Sequence, residues 1–171
     1  VIANAKHFIM NSQEENRFHS NAVVDERTRW EIYYPPFLGA IRAGVGSIMC
    51  SYNLINGVYS CENNETLMAD YKTRAGFEGW VMSDWRATHS MSINDGLDQE
   101  MPTGTCFLDN STGVKAAVQS GNLSVAKLDD SVKRILTQMF KFGLFQNAAR
   151  WNPGRHGADV TSLSHSTLAR N

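Results

Sequence analysis

The sequence predicts an α/β fold, built as part of an eight-stranded (β/α) barrel. Short apolar strand-like runs alternate with helix-like segments along the chain, and the strand-like runs are nearly continuously apolar. This alternation predicts βαβ units and a parallel sheet, and continuous apolar strands are typical of strands covered on both faces. An open doubly wound sheet is the alternative. It is less favoured because no predicted strand is followed by the G-x-G-x-x-G loop that binds nucleotide phosphates.

The first strand and the first helix are predicted in the opening 44 residues. Residues 1–9 form an apolar run that predicts a strand. A helix is predicted at residues 25–44, with Asp25 as its N-cap and Gly44 as its stop. A Pro-Pro pair inside this helix must break or restart it, because proline removes a backbone donor and clashes with the preceding turn.

The second strand and helix follow the same pattern. Residues 45–52 predict a strand that is mostly apolar. Residues 64–76 predict a helix with a cap-like Asn64 at its start and Gly76 at its end.

The third strand is predicted at residues 79–84, and a short fourth strand at residues 97–102. A short helix at residues 111–121 then precedes the longest helix, at residues 124–145. Apolar residues of the longest helix recur at helical spacing and predict one core-facing stripe, made of Val125, Leu128, Val132, Ile135, Leu136 and Met139.

Two regions are expected from these patterns. Residues 1–145 form a partial (β/α) barrel, and residues 146–171 form a linker and the start of a second domain. A further helix is expected to begin near residue 162. The chain has no initiator Met and begins directly in an apolar run, so we expect it to be part of a longer protein.

Composition excludes several classes of function. The 171 residues are 42% hydrophobic and carry a formal net charge of −1, so no basic nucleic-acid surface is expected. No apolar run is long enough to span a bilayer, so no membrane partner is expected. The scattered His and Cys residues fit no zinc pattern, and we expect no metal and no cofactor. The oligomeric state is left open.

The three cysteines suggest one covalent link. Cys50 and Cys61 bracket a loop-like stretch, which suits a disulfide in an oxidising compartment and also suits two buried thiols. We predict the disulfide, with Cys106 free. N-glycosylation sequons begin at Asn64, Asn110 and Asn122, and they favour a secreted, extracellular protein.

Polar side chains stand where the predicted strands end. The first strand ends in Lys6-His7, the second in Met49 followed by Tyr52, and the third in Asp84-Trp85. In a barrel all these carboxyl ends open on one face, where active sites are built. A carboxylate beside an aromatic ring suits a sugar, which has apolar C–H faces and a polar rim. Together these residues predict a sugar site.

Each of these residues also has a purely structural interpretation. Lys6 would be a surface lysine and His7 a half-buried histidine with satisfied hydrogen bonds. Met49 would fill core space, while Tyr52 would anchor a loop and Trp85 would close the barrel rim. The occurrence of polar groups at three successive strand ends favours the site.

These segments carry a family resemblance. The stretches "AKHFIMNSQE", "VDERTRWEIYYPPFLGAIRAGVGSIMCSYNLING" and "GFEGWVMSDWRATHS" resemble glycoside hydrolase family 3, and in particular its secreted β-glucosidases. The resemblance runs from residue 1 to about residue 145. It implies that these residues are the C-terminal part of a (β/α) barrel, which an α/β sandwich domain follows. "IMNSQE" stands where the family's bacterial N-acetylglucosaminidases have a "GHG"-type continuation, which favours the glucosidase branch.

The resemblance implies a role for each candidate residue. Asp84 would be the nucleophile of a retaining glycosidase, and Lys6 and His7 would bind sugar hydroxyls in the −1 subsite. Met49 and Tyr52 would line that subsite, and Trp85 would form the wall beside the aglycone. The substrate would be a small β-glucoside or cello-oligosaccharide. Other family 3 activities, such as β-xylosidase or exo-glucanase, carry the same resemblance.

The mechanism needs a second carboxyl group. A retaining glycosidase uses a nucleophile and an acid/base carboxyl roughly 5 to 5.5 Å apart. The resemblance implies that the acid/base Glu lies beyond Asn171, and that an early substrate-binding Asp and Arg lie before Val1. We therefore expect these 171 residues alone to be inactive.

Two other classes of function remain as alternatives. A Schiff-base lyase would use Lys6 as the nucleophile on a barrel strand. A non-catalytic carbohydrate-binding module would keep Trp85 and Tyr52 for stacking.

Overall fold

The centre of the computed structural model is a parallel three-stranded sheet. The structure describes residues 1–102, 104–146, 157, 159 and 161–170. The strands are β1 (Asn4–Phe8), β3 (Ser47–Cys50) and β6 (Trp80–Ser83), and they lie side by side in chain order. A doubly wound sheet reverses its strand order at a switch point. Unreversed order is consistent with a (β/α) barrel.

Five α-helical segments accompany this sheet in the described residues. The segments are α1 (Glu26–Thr28), α2 (Pro35–Arg42), α3 (Val114–Gln119), α4 (Val125–Lys141) and α5 (Leu163–Arg170). Two π-helical segments, Arg29–Tyr33 and Glu65–Arg74, and two 3-10 turns, Ser60–Glu62 and Ser92–Asp95, complete the helical structure of the described residues. Most of the predicted linker lies outside the described residues.

The predicted first helix is interrupted where proline requires it. Asp25 caps α1, since its Oδ1 accepts a hydrogen bond from the Thr28 amide at 2.7 Å. The backbone passes through the π-helical Arg29–Tyr33 segment and restarts at Pro35, the first residue of α2. Proline suits this position because the amide of a first helical residue has no intrahelical partner.

The predicted cap of the second helix is wrong by one residue. Asn63, not Asn64, caps the Glu65–Arg74 segment: its Oδ1 accepts a hydrogen bond from the Thr66 amide at 3.0 Å. Asn63 is buried and directs its side chain into the protein, whereas Asn64 is exposed and faces outward.

A second small sheet forms partly within the loop-like stretch between Cys50 and Cys61. It consists of β2 (Asn21–Ala22), β4 (Leu54–Ile55) and β5 (Val58–Tyr59). β4 and β5 form an antiparallel hairpin with Asn56 and Gly57 at its tip, both at positive φ (50° and 87°). Two positive φ angles are the requirement of a type I′ turn, which favours the Asn-Gly pair.

The predicted fourth strand at residues 97–102 is wrong. Only one isolated parallel bridge forms there, between Met82 and Gln99. Backbone bonds still join this segment to β6, since the Gln99 amide donates to the Val81 carbonyl at 3.0 Å and its carbonyl accepts from the Ser83 amide at 2.9 Å. The Asp98 carboxylate also accepts from the Val81 amide at 2.8 Å, and Pro102 has no amide to extend a ladder.

The predicted core-facing stripe of α4 is wrong in part: Leu128 packs against a small core cluster, and Ile135 and Met139 are partly buried. Val125, Val132 and Leu136 of that stripe are exposed, whereas Ser131 and Gln138 are buried. The buried side is fixed by polar contacts, because the Ser131 hydroxyl donates to Asp98 at 2.8 Å. Helix α4 therefore presents an apolar stripe at the surface of the described residues.

The main core lies between the sheet and the helices. The Phe8 ring contacts those of Tyr34, Phe37 and Tyr71, with centroids 4.5 to 5.8 Å apart. Register places Ala5, Ile48 and Val81 in one row on this face. Alternation along the strands then places Lys6, Met49 and Met82 in a row on the opposite face. Within the described part of the chain, no helix combines the length and apolarity that crossing a bilayer requires.

Candidate active site

Asp84 immediately follows β6, at the carboxyl end of the sheet. Its amide donates to the Cys50 carbonyl at 3.2 Å and its carbonyl accepts from the Ala87 amide at 3.0 Å, so its backbone is fixed on both sides. Its side chain is only 15% exposed. A carboxylate at this place is sheltered but reachable.

Three donors surround the Asp84 carboxylate. Oδ1 lies 3.1 Å from the Tyr52 hydroxyl and accepts from the Trp85 amide at 2.6 Å. Oδ2 lies 3.1 Å from His7 Nε2. An ionised carboxylate only accepts hydrogen bonds, so this set of donors matches that form. The arrangement positions both oxygens of a charged carboxylate.

Tyr52 reaches Asp84 from the segment that follows β3. Its hydroxyl also lies 2.9 Å from the Trp85 carbonyl, and its side chain is largely buried. Burial raises the pKa of Tyr52, and the negative charge of Asp84 raises it further. Tyr52 therefore keeps its proton as a hydrogen-bond donor at ordinary pH.

His7 reaches Asp84 through an irregularity in β1. Lys6 pairs with Met49 and Phe8 pairs with Cys50, which leaves His7 outside the register. A bulge of this kind re-aims a side chain and is frequent beside active sites. One third of the His7 side chain remains exposed.

Trp85 and two residues that the sequence analysis missed flank this cluster. Trp85 is 57% exposed, so its ring is available to a ligand. The half-exposed Phe18 ring meets the Tyr52 ring edge-on at 4.6 Å. The Arg17 guanidinium carbon lies 4.8 Å from the centre of the Tyr52 ring. The only sequence signal for Arg17 and Phe18 is an aromatic and a cation in a polar loop.

Lys6 and Met49 lie beside the cluster rather than in it. Lys6 is exposed and forms no hydrogen bond or ion pair with the residues that the structure describes. Met49 is half-buried and pairs with Lys6 across the sheet. The structure thus brings together His7, Tyr52, Asp84 and Trp85, with Lys6 and Met49 in the neighbouring row.

The predicted disulfide is present. Cys50 and Cys61 are bonded, and Cys106 is a free, half-buried thiol. The three sequon asparagines, Asn64, Asn110 and Asn122, are all exposed. Among the described residues, no group of three or more His, Cys, Asp or Glu side chains could hold a metal ion.

Comparison with known proteins identifies relatives of the whole chain. The model of the glycosyl hydrolase family 3 N-terminal domain matches residues 1–138. A probable β-glucosidase L of Emericella nidulans is 39% identical over 99% of this chain. A probable β-glucosidase A of Neosartorya fischeri is 40% identical over 96% of it.

Solved β-glucosidase structures share the fold. The β-glucosidase D2-BGL of Chaetomella raphigera is 42% identical and covers 99% of this chain with a TM-score of 0.86. DesR, a β-glucosidase of Streptomyces venezuelae solved with D-glucose, is 43% identical and covers 86% with a TM-score of 0.79. The chain spans 25% and 22% of the two curated relatives and 25% and 20% of these two structures.

Proposed function

Because the chain belongs to the family of the glycosyl hydrolase family 3 N-terminal domain, we propose that its protein is a retaining β-glucosidase with Asp84 as the nucleophile. It removes terminal β-D-glucosyl residues from small glucosides and cello-oligosaccharides. The observation that carries this proposal is the Asp84 carboxylate at the end of β6, with donors from Tyr52, Trp85 and His7 no more than 3.1 Å away.

The first step forms a covalent intermediate. A carboxylate oxygen of Asp84 attacks the anomeric carbon, and the bond from that carbon to the glycosidic oxygen breaks. The departing oxygen takes a proton from the acid/base carboxyl group, which the family resemblance places outside these 171 residues. The sugar is then linked to Asp84 as an ester with inverted configuration.

The second step returns the carboxylate. The deprotonated acid/base group removes a proton from water, which attacks the anomeric carbon from the opposite face. The bond to Asp84 breaks, and a second inversion restores the original configuration. The same donors to Asp84 serve both steps, since the leaving carboxylate regains its charge beside them.

Neighbouring side chains bind the sugar. Lys6 carries an exposed ammonium group with no partner among the described residues, so its donors are available to sugar hydroxyls. His7, whose Nε2 lies 3.1 Å from Asp84 Oδ2, offers its other ring nitrogen to a sugar hydroxyl. Met49 supplies an apolar floor, and Trp85 offers its exposed ring to the aglycone.

The exposure of Lys6 argues against the Schiff-base alternative. A lysine that forms a Schiff base is activated by desolvation or by a neighbouring cation. Lys6 has neither among the described residues. Borohydride treatment with a carbonyl substrate should therefore give no adduct at Lys6.

Asp84→Asn and Asp84→Ala in the full-length protein test the nucleophile. Both should abolish cellobiose hydrolysis while the thermal unfolding midpoint stays close to that of the unmodified protein. Azide should restore turnover of an activated aryl glucoside by Asp84→Ala, because it can occupy the space of the carboxylate, and the product should be the α-azide. Asp129→Asn, at an exposed site on α4, is the control and should remain active. Normal activity of either Asp84 variant would contradict the assignment.

We also propose that the protein is secreted and glycosylated. The Cys50–Cys61 disulfide and the three exposed sequons support an oxidising compartment. Enzymatic deglycosylation in heavy-oxygen water should mark Asn64, Asn110 and Asn122 in peptides of the natural protein. Absence of the mark from all three would contradict glycosylation.

A further inference from the structure

We propose that Ser51, Asn53 and Ser60 are positioning residues that hold Lys6 and His7 in place against Asp84. This inference rests on the proposed function, because it assumes that Lys6, His7 and Asp84 act on the sugar. Ser51, Asn53 and Ser60 are called the β1 clamp below.

The clamp binds two successive backbone carbonyls just after His7. The Ser60 hydroxyl donates to the Phe8 carbonyl at 2.7 Å. The Ser51 hydroxyl and the Asn53 Nδ2 group donate to the Ile9 carbonyl at 3.0 and 3.1 Å. The Ser51 amide adds a fourth bond, to the Phe8 carbonyl at 2.8 Å.

The three side chains are buried polar groups with no exposure to substrate. Each is at most 1% exposed. Burial of a hydroxyl or an amide costs free energy unless the group is hydrogen-bonded. All three donate hydrogen bonds to the backbone carbonyls of Phe8 or Ile9. These carbonyls lie where β1 ends, directly after His7, which is outside the strand register. The clamp therefore fixes the backbone that carries His7.

The loop that carries the clamp also touches the nucleophile. Tyr52 stands between Ser51 and Asn53 in the chain, and its hydroxyl lies 3.1 Å from Asp84 Oδ1. The Cys50–Cys61 disulfide brackets the same loop. One closed loop thus contacts both the end of β1, through the clamp, and the end of β6, through Tyr52.

This connection has a catalytic consequence. Productive geometry must be held within a fraction of an ångström, and a misplacement of about 1 Å can cost roughly 100-fold in rate. Loss of one clamp hydrogen bond would let the Phe8 and Ile9 carbonyls shift, and His7 would shift with them. Asp84 would keep its own backbone contacts.

Two pairs of variants in the full-length protein test the clamp. Ser60→Ala is compared with Ser92→Ala, which removes an equally buried hydroxyl that donates to the Ser90 carbonyl at 3.1 Å. Asn53→Leu is compared with Asn63→Leu, which removes a buried amide that donates to the Ile55 carbonyl at 3.2 Å. Neither control residue has a hydrogen bond to β1 or to Asp84.

The clamp variants should lose activity beyond their loss of stability. We expect kcat/KM for cellobiose to fall roughly tenfold or more in Ser60→Ala and in Asn53→Leu, with KM raised as well as kcat lowered, because both sugar binding and transition-state contacts depend on Lys6 and His7. Each control should unfold at a similarly lowered temperature but keep kcat/KM within about twofold.

Crystal structures of Ser60→Ala and Ser92→Ala provide a readout that does not depend on the reaction. The distance from His7 Nε2 to Asp84 Oδ2, 3.1 Å here, should lengthen in Ser60→Ala and stay unchanged in Ser92→Ala. The clamp is overturned if kcat/KM of the clamp variants matches that of the controls, or if the distance does not change. Full activity of Asp84→Asn would instead contradict the proposed function. The crystal structures of Ser60→Ala and Ser92→Ala would still show whether the clamp positions His7.

Discussion

At the scale of single residues, Tyr52 holds together the proposed nucleophile and its neighbours. Its hydroxyl is within hydrogen-bonding distance of both the Asp84 carboxylate and the Trp85 carbonyl. Its ring contacts the Phe18 ring and the Arg17 guanidinium group. One side chain thus connects the carboxylate to the aromatic groups around it.

The variant Tyr52→Phe should therefore impair catalysis without unfolding the protein. A hydrogen bond to a charged group contributes about 1.5–3 kcal/mol, which corresponds to a fall in kcat of roughly 10- to 150-fold. Steady-state kinetics on cellobiose would measure it. Tyr71→Phe is the matched control, since that buried hydroxyl makes only a 3.4 Å contact with the Phe37 carbonyl. Equal kcat in both variants would contradict this role of Tyr52.

The sequence predicts that the proposed site residues lie close together, because the carboxyl ends of parallel strands meet at one edge of the sheet. That rule brings His7, Tyr52 and Asp84 together without knowledge of any loop. It could not predict Arg17 or Phe18, because the path of the loop between β1 and β2 follows no periodicity. It also could not show that the Asn53 amide faces a backbone carbonyl.

At the scale of structural elements, the loop between Cys50 and Cys61 depends on its disulfide. The double variant Cys50→Ala/Cys61→Ala should lose about 2–3 kcal/mol of unfolding free energy by the chain-entropy model for a closed loop of this length. Urea unfolding would measure the loss, with Cys106→Ala as the control. Peptide mapping under non-reducing conditions should find the Cys50–Cys61 link and a free Cys106; free thiols at positions 50 and 61 would refute it.

The loop after β6 should make stability depend on acid pH. Burial alone would raise the pKa of Glu100, but hydrogen bonds from Thr105 and from the Cys106 and Phe107 amides outweigh it and hold the pKa below its usual value of 4.5. A lowered folded-state pKa stabilises the fold above the unfolded pKa, and this contribution disappears as pH falls through the folded value.

The variant Glu100→Gln tests that dependence. At pH 7 the unmodified protein should unfold at a higher temperature than Glu100→Gln, and this difference should shrink as pH falls below about 4.5. Glu78→Gln, at an exposed site, should show no such trend. A difference that stays constant from pH 7 to pH 3 would contradict this account of Glu100.

The sequence located most elements but not their details. The β4–β5 hairpin was missed although Asn56-Gly57 is a strong hairpin signal, because its strands have only two residues each. The stripe on α4 was assigned to the core from periodicity alone. Periodicity shows which residues share a face, but not what covers that face.

At the scale of the whole molecule, the exposed apolar stripe of α4 indicates that further protein surface packs against this helix. The exposed apolar side chains of this helix and the turn after it are Val125, Val132, Leu136, Phe140, Leu144 and Phe145. Apolar patches of this kind are usually covered by other protein surface. The family resemblance also places the acid/base carboxyl group outside these residues.

We therefore expect the 171-residue chain alone to be marginally folded and to hydrolyse no cellobiose. It should bind a hydrophobic dye that the full-length protein does not bind. Trace activity on an aryl glucoside with a very acidic phenol is compatible with this, since such a leaving group needs little protonation. Robust cellobiose turnover by a cooperatively folding monomer would mean that a carboxyl group within these residues, such as Glu14 or Glu15, is the acid/base.

The central claim, that Asp84 attacks the sugar, is tested most directly by trapping the covalent intermediate. The full-length protein is treated with an activated 2-deoxy-2-fluoro-β-glucoside, digested, and analysed by mass spectrometry. The account predicts one fluoroglucosyl group per chain, on Asp84, with cellobiose hydrolysis lost in proportion to labelling. A label on a different carboxylate, or continued labelling of Asp84→Asn at the same rate, would contradict it.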